Sequence, residues 1–383
     1  MFRFYKTTSL ASMLGLLFSG TTAFCQNSYV PQFKKSSLYA GIEVGSKGVK
    51  MTILEVAKNE QTTGTFNTVK DTSVNTDFIS FTDKNFMNTV DAFAGLYVYA
   101  KKVYEIIPAN IFTVISSGVV GQAEKDGKQS MVQALADSFR MLIKEPNRTV
   151  SLIDVTEEAR LSHLGIVPAN KRYVTFLIDI GSGNTKGGYF PNGNTKDLKL
   201  FQLSWGTKSV ANGTEKRMTD DNSLANFKKQ LYRVLEGTPD TEITYAVNVS
   251  GAYNMSDNIA FSGGIAWSVA TLIHPEMIDN PVVPVTYDEV EKFSQRLYEN
   301  YPAYNAAVIV SKLEDKSVNA TAITTEVKRV QKVFDQKSLM AGTGLLLKIM
   351  RQFEGVYEKK QFYLVKNGQV GWISAYVDQN IRQ

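Results

Sequence analysis

Two nine-residue stretches constrain this chain more than anything else in it. Residues 42–50 read IEVGSKGVK and residues 178–186 read IDIGSGNTK. Each places an acid two residues before a Gly-Ser pair and a lysine seven residues after the acid. Each lies on an apolar β-run that turns at the glycine and continues as strand, which predicts a hairpin. The two lie 136 residues apart, on the order of one domain. A duplicated lobe explains that spacing. The length, 383 residues, suits two domains, and 43% hydrophobic with 21% charged residues is ordinary globular composition.

The rest of the chain alternates strand and helix. SLYAGIEVG and VKMTILEVA are β-runs, residues 84–106 carry helical apolar spacing, and IFTVIS (111–116) is a buried strand. A helix over 127–144, a strand over 151–155 and a short helix over 156–164 come next. VTFLIDIG (174–181) is a strongly apolar strand, with GGYF and LKLFQLSWG after it. A helix is expected over 220–236, and ITYAVNVSG (243–251) reads as a strand. NIAFSGGIAWSVATLI runs from strand through Gly263-Gly264 into helix. Residues 286–302 and 324–354 are mainly helical, with Gly342 and Gly344 interrupting the second. QFYLVKNGQVGWISAY predicts a hairpin about Asn367-Gly368. The fold class is α/β.

Residues 1–25 read as a secretory leader. Arg3 and Lys6 precede a broken apolar stretch, and Ala23 and Cys25 are small residues at the −3 and −1 positions of a cleavage site. The stretch is shorter than a membrane span needs. An exported, periplasmic or secreted protein is expected, with 26–36 a polar linker and no membrane span in the mature chain. Cleavage removes the single cysteine, so the mature chain has no thiol nucleophile and no disulfide. Only two histidines are present, His163 and His274, which excludes a histidine-rich metal site and leaves a hard ion held by oxygen. Loss of Arg3 and Lys6 lowers the net charge from +5 to about +3. Lysine pairs are scattered, as on solvated helix faces, so no nucleic-acid partner is expected. A mild positive balance suits an anionic substrate.

The repeated motif has a clear chemistry. Its glycines let the backbone turn tightly and approach a ligand, and the exposed N–H groups make a nest for phosphate oxygens. Gly45, Ser46, Gly181, Ser182, Gly183 and Asn184 are therefore candidate phosphate contacts. The acids Glu43 and Asp179 could hold Mg²⁺, directly or through water. Two such hairpins facing one another would clamp a phosphate chain from both sides.

The pair resembles the two phosphate loops of the actin, Hsp70 and sugar-kinase superfamily. NIAFSGGIAWSVATL resembles its adenosine-motif region, which implies that Gly263 and Gly264 approach the ligand. The resemblance implies two RNase H-like lobes, a duplicated ββαβ-type actin-like ATPase fold, around a central cleft. Lobe I would be 37–168, completed by about 335–383, with the helix near 335–351 returning to it. Lobe II would be 169–334. A narrower match lies at Thr156-Glu157-Glu158-Ala159-Arg160-Leu161 with Leu164-Gly165-Ile166. It resembles a segment of the exopolyphosphatase and guanosine-pentaphosphate phosphatase family, where it precedes an apolar strand ending in Asp-x-Gly-Gly-Gly. That implies Glu158 as the general base activating a water; the other reading is that Glu157 and Glu158 are exposed first-turn acids favouring the helix dipole. Ser117 and Gly118 resemble the family's Thr-Ser-Ala phosphate loop, and a strand-to-helix cap reads equally well.

Two positions depart from the family pattern. Its first-loop Asp is Glu43, and its Glu seven residues after the second-loop Asp is Lys186. Lys50 and Lys186 instead resemble the phosphate-contacting lysine of the actin first loop. The expected function is an exported phosphoanhydride hydrolase acting on polyphosphate or a nucleoside polyphosphate, with Mg²⁺. The alternative is an envelope protein that binds such a ligand without turnover. A homodimer is compatible with either.

Overall fold

The computed structural model describes residues 29, 31–57, 66–251, 256–315, 317–354, 360–366 and 371–381. The expected leader lies outside them. The first sheet is built from β1 (Ser36–Val44), β2 (Gly48–Ala57) and β3 (Phe66–Asn75), an antiparallel meander. Helix α1 (Asp83–Val103) then carries the chain to β4 (Ile111–Ile115), which runs parallel to β1. Helices α2 (Ser117–Lys125) and α3 (Gln129–Ile143) lead to β5 (Ser151–Leu152), parallel to β4. The strand order is β3-β2-β1-β4-β5. Thr82 caps α1 by accepting from Asn85 N–H, and Val90, Phe93, Tyr97 and Ala100 form its buried stripe. Phe93 stacks on Phe139 of α3, with ring centroids 3.8 Å apart. Part of the stretch expected as linker is anchored: buried Glu55 accepts from Gln32 N–H, Phe33 N–H and the Ser36 hydroxyl.

Helix α4 (Val155–Ile166) precedes the second sheet. There β6 (Thr175–Ile180), β7 (Thr185–Tyr189) and β8 (Lys199–Leu203) form another antiparallel meander. Helices α5 (Thr207–Glu215), α6 (Leu224–Leu235) and α7 (Thr238–Ser250) lead to β9 (Asn258–Ser262), parallel to β6. Then come α8 (Gly264–Ile273), β10 (Val282–Val285), α9 (Tyr287–Glu299), α10 (Ala306–Ser311), α11 (Ala320–Val333) and α12 (Gln336–Glu354). Strand β11 (Gln361–Val365) is parallel to β9 and leads to helix α13 (Gly371–Ile381). The order β10-β11-β9-β6-β7-β8 retraces the first sheet and adds β10 at one edge. The repeat seen in the sequence is thus a repeat of topology.

Four sequence expectations are corrected. ITYAVNVSG is helix, not strand: Pro239 sits in the first turn of α7, Gly251 ends it at φ +66°, and Ile243, Ala246, Val247 and Ser250 line its buried face. Packing there outweighs the strand preference of its β-branched residues. Gly342 and Gly344 do not interrupt α12. They let it press close, since a Cβ on Gly342 would lie 2.7 Å from Ile265 and one on Gly344 2.8 Å from Leu235. The C-terminal hairpin does not form: the turn expected at 367–368 lies outside the described residues, and its expected second arm is the helix α13. Finally, the helix near 335–351 does not return to the first lobe. As part of α12 it packs on α5, α6, α7 and α9, and α13 makes the return.

That return is an exchange. Helix α4, which succeeds the first sheet, packs on β6, β7 and β8 of the second. Helix α13, which succeeds the second sheet, packs on β1 and β2 of the first. The two helices cross so closely that a Cβ on Gly165 would lie 1.9 Å from the Gly371 carbonyl oxygen. Both lobes are joined at this crossing, beneath the cleft that separates their sheets.

Candidate active site

The seven-residue spacing of the repeat has a simple structural meaning. Glu43 is directly opposite Lys50 in the β1–β2 hairpin, and Asp179 directly opposite Lys186 in β6–β7. Side chains paired this way emerge on the same face. The two turns then meet across a single cavity of about 180 Å³. Gly45, Ser46, Lys50 and Glu43 line it from the first lobe, with Gly118. Gly181, Ser182, Asn184, Asp179, Lys186, Gly263 and Gly264 line it from the second, and Glu158 of α4 closes the base. Ser117 and Gly183 stand just behind. Ser117 N–H points at Glu158, and a Cβ on Gly183 would come within 3.4 Å of Ser46 Oγ. The loops therefore nearly touch. At Gly263, φ is +93° and a Cβ would sit 2.3 Å from the Ile180 carbonyl oxygen, so only glycine fits.

Of the two readings of Glu157 and Glu158, the structure separates the residues. Glu157 forms a surface pair with Arg160. Glu158 is only 2% exposed and faces the cavity. Its Oε2 accepts from Ser117 N–H at 2.7 Å, at the start of α2. Ser116 is the N-cap residue there, but its side chain makes no capping bond, so the Glu158 carboxylate does that work. Its Oε1 lies 2.9 Å from Lys186 Nζ.

Lys186, 5% exposed, is the electrostatic centre of the site. It also lies 3.2 Å from Asp179 Oδ2. Burial opposes its charge, but Glu158 and Asp179, with Glu43 behind them, hold the ammonium well above the ordinary lysine value. Asp179 Oδ1 accepts from Ser262 Oγ at 3.2 Å. Glu43 is 5% exposed and accepts from the Trp372 indole N–H. Its carboxyl is pushed up by burial, and further by Glu158 and Asp179, against the pull of Lys50 and Lys186. Lys50 lines the cavity and forms no ion pair or hydrogen bond among the described residues.

The cavity mouth carries residues that the sequence did not single out. Lys47 lies inside the repeated motif itself, where its lysine could have been noticed. Its ammonium sits 4.8 Å over the Phe334 ring, and burial and then neighbouring Lys208 lower its pKa. Arg329 of α11 stacks over Trp267 of α8 at 5.0 Å and reaches Asp71 of β3 at 3.5 Å. Lys208 of α5 pairs with Asp77, just after β3. Both ion pairs bridge the cleft. Four cationic side chains, Lys47, Lys50, Lys186 and Arg329, line the cavity against three acidic ones. That balance favours an anion.

The Mg²⁺ expected from the sequence does not fit between these carboxylates. Each already holds a donor, and the Lys186 ammonium stands between two of them. Among the described residues no group of three acidic, histidine or cysteine side chains is arranged to hold a metal ion.

Two sheets of matching strand order, joined by exchanged helices and meeting at paired glycine-serine hairpins, define the two-lobed actin-like ATPase fold. Solved structures share it over nearly the whole chain. A Ppx/GppA family member from Aquifex aeolicus aligns with a TM-score of 0.58 at 16% identity, covering 91% of this chain and 98% of that one. An exopolyphosphatase-like protein aligns with a TM-score of 0.60 at 15% identity, covering 91% and 98%. An exopolyphosphatase from Cytophaga hutchinsonii aligns with a TM-score of 0.56 at 10% identity, covering 90% and 98%. The likeness is one of fold; no family model and no curated protein matches the sequence. No helix among the described residues is long and apolar enough to cross a membrane.

Proposed function

We propose that the cleft binds the end of a phosphoanhydride chain, inorganic polyphosphate or a nucleoside polyphosphate, and hydrolyses its terminal phosphate. The observation that carries this reading is the placement of the buried Glu158 carboxylate in one cavity with two glycine-serine turns and Lys50. Terminal phosphate oxygens would lie against the N–H groups of both turns and against Lys50. A water in line with the terminal P–O bond would attack phosphorus as Glu158 takes its proton, and the shortened chain would leave carrying the bridging oxygen. Ser117 N–H and Lys186 fix the orientation of Glu158. The leader expected over 1–25 would put the activity outside the cytoplasm, and N-terminal sequencing of the mature protein tests that.

The second reading is binding without turnover. It is favoured by the ion pair that engages Glu158 with Lys186. Purified mature protein incubated with polyphosphate, with and without Mg²⁺, distinguishes the two. Phosphate release supports hydrolysis; saturable binding with no release under any condition supports the second reading.

A further inference from the structure

Two carboxylates from different lobes converge on one lysine. Glu158 from α4 and Asp179 from β6 both contact the Lys186 ammonium, at 2.9 and 3.2 Å, and Glu43 of β1 lines the same cavity. Acids gathered at a phosphate-binding cleft ordinarily serve a divalent ion. Here the gathered acids surround a side chain instead.

We propose that Lys186 is a built-in counter-cation occupying the place of a divalent metal, so that the cleft takes up phosphate chains without Mg²⁺. The second half rests on the phosphate-chain reading above; the first does not. Three observations carry it. The reach of Lys186 is fixed, because it is the cross-strand partner of Asp179 and its Nζ lies 3.2 Å from Asp179 Oδ2 and 2.9 Å from Glu158 Oε1. The outer partners of these acids turn them toward the ammonium: Ser117 N–H holds the second oxygen of Glu158, and Ser262 Oγ the second oxygen of Asp179. Such outer-shell bonds orient metal ligands in metal sites, and here they orient the same groups toward a lysine. Third, Lys186 is 5% exposed and already charge-balanced, unlike a lysine held free for substrate. Lys50, which forms no ion pair among the described residues, lines the cavity with Lys47 and Arg329. A Mg²⁺ ion between Glu158 and Asp179 would have to displace the ammonium or sit against it, and like charges at that distance repel strongly in a buried site.

The test is Mn²⁺ titration of the full mature protein, read by electron paramagnetic resonance. The wild type is expected to show no saturable Mn²⁺ binding. Lys186→Gln, which frees the two carboxylates without adding charge, is expected to gain it. In a parallel calorimetric titration the wild type is expected to bind tripolyphosphate equally in EDTA and in Mg²⁺, within roughly twofold in Kd. Saturable Mn²⁺ binding by the wild type that Asp179→Asn abolishes would overturn the counter-cation, and this arm stands even if Lys186→Gln does not fold. Tripolyphosphate binding that disappears in EDTA would overturn metal-free uptake. Failure to bind tripolyphosphate in either buffer would instead remove the phosphate-chain reading and the uptake half with it, while the Mn²⁺ result decides the counter-cation by itself.

Discussion

The Trp372 indole N–H donates to Glu43 Oε2 at 3.1 Å, joining the last described helix to the first glycine-serine hairpin across 329 positions of sequence. Both side chains are buried. A buried carboxylate deprived of its donor bears a desolvation cost of about 1–3 kcal/mol. Trp372→Phe keeps most of the packing against Leu161 and Ile373 and removes only the donor. Its unfolding free energy in urea is expected to fall by that amount. A variant as stable as wild type would show that the bond contributes nothing net.

Glu158→Gln preserves shape and removes the base. Turnover of polyphosphate should fall by roughly 10²–10⁴-fold while tripolyphosphate affinity is largely kept. A variant that turns over normally would exclude Glu158 as the base.

Lys50 and Lys186 occupy equivalent places in the repeat but are not equivalent in the site. Lys186 is committed to Glu158 and Asp179, and Lys50 forms no ion pair among the described residues. The anion contact therefore falls to Lys50. Lys50→Ala should weaken tripolyphosphate binding by about 1.5–3 kcal/mol, roughly ten- to a hundredfold in Kd by calorimetry. Unchanged affinity would make the lysine of the first hairpin a structural repeat only.

His163 lies on α4 one turn beyond Glu158 and is fully buried. Its Nε2–H donates to the Thr175 carbonyl oxygen at 2.9 Å, and burial pushes its pKa down to about 4 from the ordinary 6.5. The unfolded chain thus binds a proton that the folded chain refuses. Stability from this group is complete above pH 6.5 and is lost as pH falls toward 4, by about 3 kcal/mol in all. Denaturant melts across that window should show the slope, and His163→Gln should flatten it.

The hairpins were legible because their signal is local. Acid, glycine and lysine at fixed offsets dictate a turn, its register and the face on which the charges emerge, and none of that depends on distant residues. Glu158 was legible through the Glu-Glu-Ala-Arg-Leu match, while its burial was not. Where tertiary packing decided the outcome, the sequence misled. Residues 243–251 are rich in β-branched and aromatic types, yet Pro239 and Gly251 bracket a helix whose apolar face packs inward. Residues 371–376 read as part of the second arm of a hairpin, yet fold within the helix that supplies Trp372. That tryptophan carried no mark of its role, because its partner lies 329 positions away. The committed state of Lys186 was equally hidden, since it depends on Glu158 arriving from a separate element.

The exchange of α4 and α13 also bears on how this chain is made. The first sheet emerges early in synthesis, but the helix that covers β1 and β2 leaves the ribosome only after the whole second sheet has been made. The first lobe cannot finish folding until then, and must wait with one face uncovered.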